Sequence, residues 1–158
     1  MSGGVPPLET SLLVAGPPEK VWDVLKDQRR MRRWSPETWR QFFYPRRLSH
    51  NQVSLNLNKR KAFVWPTVSR YVDVVRPQRL AFQVYGPAAR WSYRLDPEDG
   101  GTRLTLRRDL AGGRRSLVSR LVATLALGGI ESHDEELLAG MDRTLAAISA
   151  EVDAHVAH

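Results

Sequence analysis

The sequence predicts an α+β domain in which a curved antiparallel β-sheet wraps around a long C-terminal α-helix, with two short helices after the first strand. Three observations support this prediction. A strand pattern and then a helical pattern occupy residues 8–25, period-two alternation occupies residues 47–110, and helical apolar spacing occupies residues 130–155. The 158 residues suffice for one core of this kind. We expect a flexible tail over residues 1–7 and a single domain over residues 8–158.

The first elements follow from a short run of residue patterns. The segment LETSLLVA, residues 8–15, alternates apolar and polar side chains and predicts the first strand. Pro17 and Pro18 can open a helix, because their missing N–H groups need no partner there, and PEKVWDVLKD continues with helical spacing. The next stretch, MRRWSPETWRQFFYPRR at residues 31–47, contains two prolines. It predicts a short helix that ends near Trp34, then a turn.

Five segments in the middle of the chain predict strands: QVSLNLN, KAFVWPTVSRYVDVV, RLAFQVYG, RWSYRLD and TRLTLRRDL. In the last two, alternation places Tyr93 on the apolar face and Arg107 on the polar face. Trp65 precedes Pro66, which cannot donate a ladder hydrogen bond, and this pair predicts a bulge. The loop DPEDGGT at residues 96–102 predicts a hairpin turn, because its glycines accept positive φ. The result is an antiparallel meander with one apolar face.

The last third of the chain returns to helical spacing. Ser132 and Glu135 form an S-x-x-E capping box, and a long apolar stripe follows it. The stripe consists of Leu138, Met141, Leu145, Ile148 and Val152. It predicts one helix over residues 130–155. The preceding RRSLVSRLVATLALGG also has helical spacing and ends at a glycine pair.

The amino-acid sequences of these segments resemble those of a known family. Five segments occur in the order found in the polyketide cyclase/dehydrase branch of the START-like superfamily, also called SRPBCC proteins. They are PPEKVWDVLKD, RRWSPE, VWPTVSRYVDVVRPQRLAFQV, WSYRLDPEDGGTRLT and GMDRTLAAI. The resemblance covers Leu8 to Ala154. It implies the helix-grip fold, with a deep apolar cavity between the sheet and the terminal helix. It also implies that WSPE belongs to the entrance region.

The resemblance implies a ligand that is hydrophobic or amphipathic, either a lipid or a polyketide-like molecule. A catalytic member would cyclise or dehydrate a poly-β-ketone chain, which needs enolate stabilisation and proton transfer but no cofactor. A non-catalytic carrier or sensor of lipids or metabolites needs only the cavity. Regulatory binding of RNA, membrane or protein through the arginines is a third alternative. The sequence leaves these alternatives open.

The candidate site residues are aromatic side chains and members of the terminal stripe. For ligand binding they are Trp39, Phe43, Trp65, Tyr85, Tyr93, Leu138, Met141 and Leu145. For catalysis they are the polar groups Tyr85, Tyr93 and Arg107. The stretch MRRWSPETWRQFFYPRR is interpreted as the lip of the pocket, with arginines on its surface.

Charge and composition limit the classes of binding partner that the sequence supports. The formal net charge is +7, but the arginine pairs are spread along the chain with acidic residues between them, and no nucleic-acid-binding motif accompanies them. We therefore expect a solvated surface and no specific nucleic acid. Four dispersed histidines predict no metal site, and the absence of cysteine excludes disulfides and thiolate chemistry.

The remaining expectations concern location and assembly. The first ten residues do not resemble a secretory signal, and the most apolar run, LVATLALGGI, is too short to span a bilayer. We expect a cytoplasmic protein that is a monomer or a weak homodimer.

Overall fold

A computed structural model describes residues 7–35, 38–85, 89–110 and 130–156. Its strands are β1 (Leu8–Ala15), β2 (Thr38–Tyr44), β3 (Val53–Arg60), β4 (Phe63–Val75), β5 (Arg79–Tyr85), β6 (Ala89–Glu98) and β7 (Gly101–Leu110). The helices within these residues are α1 (Pro18–Leu25), α2 (Met31–Trp34) and α3 (Ile130–Val156), and a short 3₁₀ helix, Gln28–Arg30, precedes α2.

The seven strands form one antiparallel sheet in the order β1-β7-β6-β5-β4-β3-β2. Strands β2 to β7 are a meander, and β1 adds beside β7, so that β1 and β2 are the two edges. The turn between β6 and β7 needs glycine, because Gly100 has a φ of 82°. The next residue approaches β1 closely: a Cβ on Gly101 would lie 2.2 Å from the carbonyl oxygen of Val14.

Helix α3 lies on the inner face of the sheet and packs on β1, β7, α1 and α2. Its buried stripe of Met141, Leu145, Ile148 and Val152 joins apolar residues of α1 and the sheet in one core. Trp34 connects α2 to this helix. Its indole N–H donates to Glu151 (3.0 Å), and its carbonyl oxygen accepts from the Thr144 hydroxyl (2.9 Å). The terminal helix is therefore part of the core.

Most of the predicted elements are confirmed. The first strand, the first helix, the meander and the long helix all occur close to their predicted bounds. The hairpin turn is tighter than predicted, since β6 continues to Glu98 and β7 begins at Gly101. The predicted tail lies outside the described residues except for its last residue, and the predicted helix of RRSLVSRLVATLALGG lies outside them entirely.

Two local predictions were wrong. The sequence predicted only a turn after Trp34, whereas the edge strand β2 begins at Thr38. No bulge occurs at Pro66, because its register with β3 is continuous and, among the described residues, the pairing of β5 with β4 ends at Val68, so that proline faces no ladder partner there. The side chain of Ser132 lies outside the described residues, so its capping role stays a prediction.

Candidate functional site

The inner face of the sheet has two chemically different halves. Strands β5, β6, β7 and β1 present mainly apolar side chains to α3 and α1, and we call this surface the apolar half. Strands β2, β3 and β4 carry a set of neutral polar side chains on the same face, which we call the polar cluster. Its members are Gln41, Gln52, Ser54, Asn56, Asn58, Thr67 and Ser69.

Asn56 is the centre of the polar cluster and makes four side-chain hydrogen bonds. Its amide nitrogen donates to the hydroxyls of Ser69 (2.8 Å) and Thr67 (3.2 Å). Its oxygen accepts from the Gln41 amide and from the Ser54 hydroxyl, both at 3.0 Å. Because every donor and acceptor is used, the orientation of this amide is determined by its neighbours.

Two glutamine oxygens of the cluster have unused acceptor capacity. Oε1 of Gln41 and Oε1 of Gln52 are buried and accept no hydrogen bond, while the Gln52 amide nitrogen donates to the carbonyl oxygen of Pro45 (2.6 Å). A buried polar atom left unsatisfied costs about 1–3 kcal/mol. These oxygens could therefore accept from a bound molecule that carries hydroxyl groups.

The polar cluster arises from an inverted pattern on β3. Gln52 precedes the strand and Ser54 and Asn56 lie within it, and all three are buried, whereas Val53 and Leu55 between them are exposed. The segment QVSLNLN alternates polar and apolar side chains, as a half-buried strand does. In such a strand the apolar side chains normally face the core, whereas here they face outward. The alternation was readable from the sequence. Which side faces inward was not, and the polar cluster was missed for that reason.

Tyr71 on β4 and Tyr93 on β6 are buried tyrosines on the inner face of the sheet. Burial raises the pKa of Tyr93, and burial followed by the neighbouring Tyr93 raises the pKa of Tyr71. The Tyr71 hydroxyl donates to Oε1 of Gln28 (3.0 Å), whose amide nitrogen donates to the carbonyl oxygen of Leu25 (2.6 Å). Both phenols are therefore neutral near pH 7, and that of Tyr71 serves as a hydrogen-bond donor.

The C-terminal end of strand β7 presents one arginine to each face of the sheet. Arg108 is 3% exposed and pairs across the strands with Trp91 and Leu8 on the inner face. Arg107 points outward, where it donates to Asp109 (2.9 Å) and Glu9 (3.4 Å). The inward guanidinium is thus that of Arg108. Arg107 lies on the polar face, as alternation predicted, so this catalytic candidate is on the side of the sheet away from α3.

A groove of about 450 Å³ lies where the helical segment before β2 meets that strand. It is lined by Asp27, Arg29, Arg30, Arg33 and Gln41. Burial alone would raise the pKa of Asp27, but hydrogen bonds and positive charge from Arg29 and Arg30 outweigh burial and lower it. Gln41 belongs both to the groove and to the polar cluster, so the groove leads from the surface to the cluster.

The candidate residues from the sequence separate into two groups. The inner face and α3 hold Phe43, Trp65, Tyr93, Leu138, Met141 and Leu145. Tyr85 lies outside: it is 48% exposed and follows the buried Val84, so alternation turns it outward. Trp39 is also exposed, at a register shift in β2, and its ring lies near Arg40 and Lys59. The structure therefore corrects the interior placement of these two residues.

Solved structures share this architecture. The di-domain ARO/CYC protein StfQ, from the steffimycin biosynthetic pathway, has a TM-score of 0.73 at 14% identity, over 96% of this chain and 52% of StfQ. This chain therefore spans about half the length of StfQ. The protein TTHA0849 from Thermus thermophilus has a TM-score of 0.72 at 16% identity, over 95% of this chain and 99% of that one.

The Zhui aromatase/cyclase from Streptomyces sp. R1128 has a TM-score of 0.67 at 21% identity, over 96% of this chain and 95% of Zhui. Identities at this level establish the fold alone. No sequence among the curated proteins is a significant match. No helix among the described residues is long and apolar enough to cross a lipid bilayer.

An open antiparallel sheet around a C-terminal helix defines a helix-grip protein. Within that class, the profile of the family described as "Polyketide cyclase / dehydrase and lipid transport" matches residues 7–147, and the chain belongs to this family.

Proposed function

We propose that the protein binds an elongated amphipathic small molecule, lipid or polyketide-like, between α3 and the inner face of the sheet. The apolar half packs against the hydrocarbon part of the ligand, and the polar cluster binds its oxygen-bearing part. The groove beside Gln41 is the entrance. The single observation that carries the proposal is the inverted strand β3, which buries Ser54 and Asn56 and exposes Leu55.

The inversion has a physical cost that ligand binding would explain. A sheet folded for stability alone would bury the apolar side of β3, since each buried leucine or valine contributes about 1.5–3 kcal/mol. Here the buried side is polar and includes two oxygens without a donor. Residues that break a local rule in this way are typical of functional sites.

Cyclisation or dehydration of a poly-β-ketone is a second candidate function. It is favoured by the buried Tyr93 hydroxyl and the buried Arg108 guanidinium, which face the same interior. A neutral phenol and a cation can both donate to a carbonyl oxygen as it becomes an enolate. The names of StfQ and Zhui support this chemistry as a hypothesis for the present chain.

A matched pair of probes tests the binding proposal. Anthracene and 2-hydroxyanthracene share one tricyclic frame and differ in one hydroxyl group, so their affinities separate apolar packing from hydrogen bonding to the glutamine oxygens. We expect the protein to bind both, with 2-hydroxyanthracene the tighter ligand. The variant Asn56→Leu should reduce that preference about tenfold, because it removes the amide that organises the cluster.

The control is Gln83→Leu, a similar amide-to-leucine change on the outer face, which should keep the preference of the parent. If Asn56→Leu does not fold, the smaller change Ser69→Ala should lower the preference in the same direction. Equal affinities for the two probes in all variants would contradict the role of the cluster. Failure to bind either probe would contradict the proposal as a whole.

A further inference from the structure

The positive charge of the chain has a single origin. Residues 38–72 contain seven of the 24 basic residues and none of the 17 acidic residues, so the rest of the chain is balanced and this segment alone supplies the net charge of +7. The segment comprises strands β2 and β3 and most of β4. Acidic residues separate most of the arginine pairs along the chain, but none lies within this segment.

Most outer arginines on the other described strands have acidic partners. Arg79, Arg94 and Arg103 form ion pairs with Asp73, Asp96 and Glu98 at 2.5–2.9 Å. Residues 38–72 have no acid of their own, and within the described residues the ion pair from this segment is that of Arg60 with Glu136 of α3. The outer face of β2–β4 therefore carries an excess of positive charge.

The same strands expose an apolar row. Register places Phe42, Leu55, Val68 and Tyr85 side by side across β2, β3, β4 and β5. All four are exposed by 40–57%, and nine of the ten exposed large hydrophobic residues in the described chain lie between Trp39 and Tyr85. This row is the other consequence of the inverted β3, and contiguous patches of this kind indicate an interaction surface.

Cations border the apolar row and one of its aromatic neighbours. The guanidinium of Arg40 lies 5.3 Å and the ammonium of Lys59 lies 5.6 Å from the Trp39 ring centroid. Arg70 is exposed near the row on β4, and Arg46 and Arg47 are exposed in the loop after β2. We call this surface, with the apolar row at its centre and these cations around it, the basic-apolar patch.

We infer that the basic-apolar patch docks the protein on the surface of an anionic lipid membrane. Aromatic and aliphatic side chains can enter the boundary between headgroups and acyl chains, and the surrounding cations attract anionic headgroups. A second copy of this chain is a poor occupant, because two identical patches would bring like charges together. Nucleic acid is less favoured, since Leu55 and Val68 cannot stack on bases.

Sedimentation with vesicles tests this inference. The protein should bind vesicles of phosphatidylcholine with phosphatidylserine and not vesicles of phosphatidylcholine alone. The double variant Arg47→Gln/Arg70→Gln should weaken partitioning about fivefold for each charge removed. The control Arg94→Gln/Arg103→Gln removes the same charge from the ion-paired half and should leave partitioning within about twofold of the parent.

A second pair of variants tests the apolar row. Phe42→Ser should weaken binding to the phosphatidylserine vesicles several-fold, whereas Leu13→Ser, at an exposed position on β1, should not. Vesicles with brominated acyl chains should quench tryptophan fluorescence. Trp39→Phe should remove most of that quenching, because Trp22 and Trp34 are buried and Trp65 and Trp91 lie on the inner face of the sheet.

Three results would overturn the inference: no vesicle binding, equal losses in the two double variants, or tighter binding to a mixed-sequence single-stranded RNA than to the vesicles at physiological salt. The proposed ligand site is tested separately, because the patch variants should bind 2-hydroxyanthracene like the parent. Loss of vesicle binding with normal 2-hydroxyanthracene binding thus concerns the patch alone.

Discussion

Two buried phenols differ in how their hydroxyls are used. Tyr71 donates its proton to Gln28, which in turn holds the end of α1 through the carbonyl oxygen of Leu25. For Tyr93, burial alone accounts for the raised pKa, and no described side chain accepts its proton. We infer that Tyr71 is structural and that Tyr93 is the phenol available to a ligand.

The raised pKa of Tyr93 predicts a loss of stability at alkaline pH. The folded protein retains the phenol proton above pH 10.0, where the unfolded chain releases it, so the free energy of unfolding falls as pH rises beyond 10.0. The fall approaches about 1.4 kcal/mol per pH unit for each such tyrosine. Urea unfolding from about pH 8 to about pH 11 should show a smaller fall in Tyr93→Phe than in the parent.

The control for this measurement is Tyr44→Phe, since Tyr44 is 85% exposed. The stability of the Tyr44→Phe variant should depend on pH in the same way as that of the parent. Identical pH profiles for Tyr93→Phe and the parent would show that Tyr93 is not buried as described.

The alternation of side chains along a strand explains for which single residues the sequence could predict the face of the sheet. Alternation places Tyr93 on the apolar face and Arg107 on the polar face, in agreement with the structure. The choice of Arg107 as a catalytic candidate did not use this alternation. Arg108 was accessible to the same reasoning, because it is one position away and thus on the inner face. Alternation could not predict the face on which Trp39 lies, since the register of β2 shifts between Thr38 and Arg40.

Helices and strands with a strong apolar periodicity could be predicted from the sequence, and those with a weak periodicity could not. Helix α3 and strands β6 and β7 have long apolar faces in contact with the core, so pattern and burial agree. Strand β2 lies at an edge, between Trp34 and the Tyr44–Pro45 pair, and several of its aromatic residues are exposed. The flanking Pro36 and Pro45 suggested a turn, and only tertiary pairing with β3 makes this segment a strand.

The stripe of α3 predicts a position-specific effect of charge. Leu145 is 1% exposed, and Leu145→Asp would bury an unpaired carboxylate, which costs about 3 kcal/mol or more. The neighbouring Ala146 is exposed, so Ala146→Asp places the same charge in solvent. Thermal unfolding should show a loss of many degrees for the first variant and a change of about 1–2 degrees for the second. Similar melting temperatures would contradict the packing of α3 on the sheet.

Over the whole molecule, the sheet is divided at β4 and β5 into two parts with different tasks. The part containing β5, β6, β7 and β1 has an apolar interior, ion-paired arginines outside and contacts with helices α1 and α3. The part containing β2, β3 and β4 has polar groups inside and apolar groups with an excess of cations outside. The first part holds most of the core and would pack on the hydrocarbon part of the proposed ligand, whereas the second part carries the polar cluster and the basic-apolar patch.

This division leaves β2 as an apolar strand at an open edge of the sheet. Such an edge can pair with a second chain, and charged side chains commonly prevent that pairing. Arg40 lies on β2, and Arg46 and Arg47 follow it, so an antiparallel β2–β2 contact would bring the cations of the two copies close together. We expect mutual repulsion to keep the parent monomeric at low ionic strength and to weaken as salt is added.

The triple variant Arg40→Thr/Arg46→Thr/Arg47→Thr should therefore self-associate. Light scattering after size-exclusion chromatography should show dimers or larger species at concentrations where the parent is monomeric, because threonine removes the repulsion and favours strand pairing. The matched variant Arg76→Thr/Arg94→Thr/Arg103→Thr removes as many charges from the ion-paired part and should stay monomeric. If both variants associate equally, net charge and not the β2 edge controls assembly; if neither does, the edge is protected by something other than its cations.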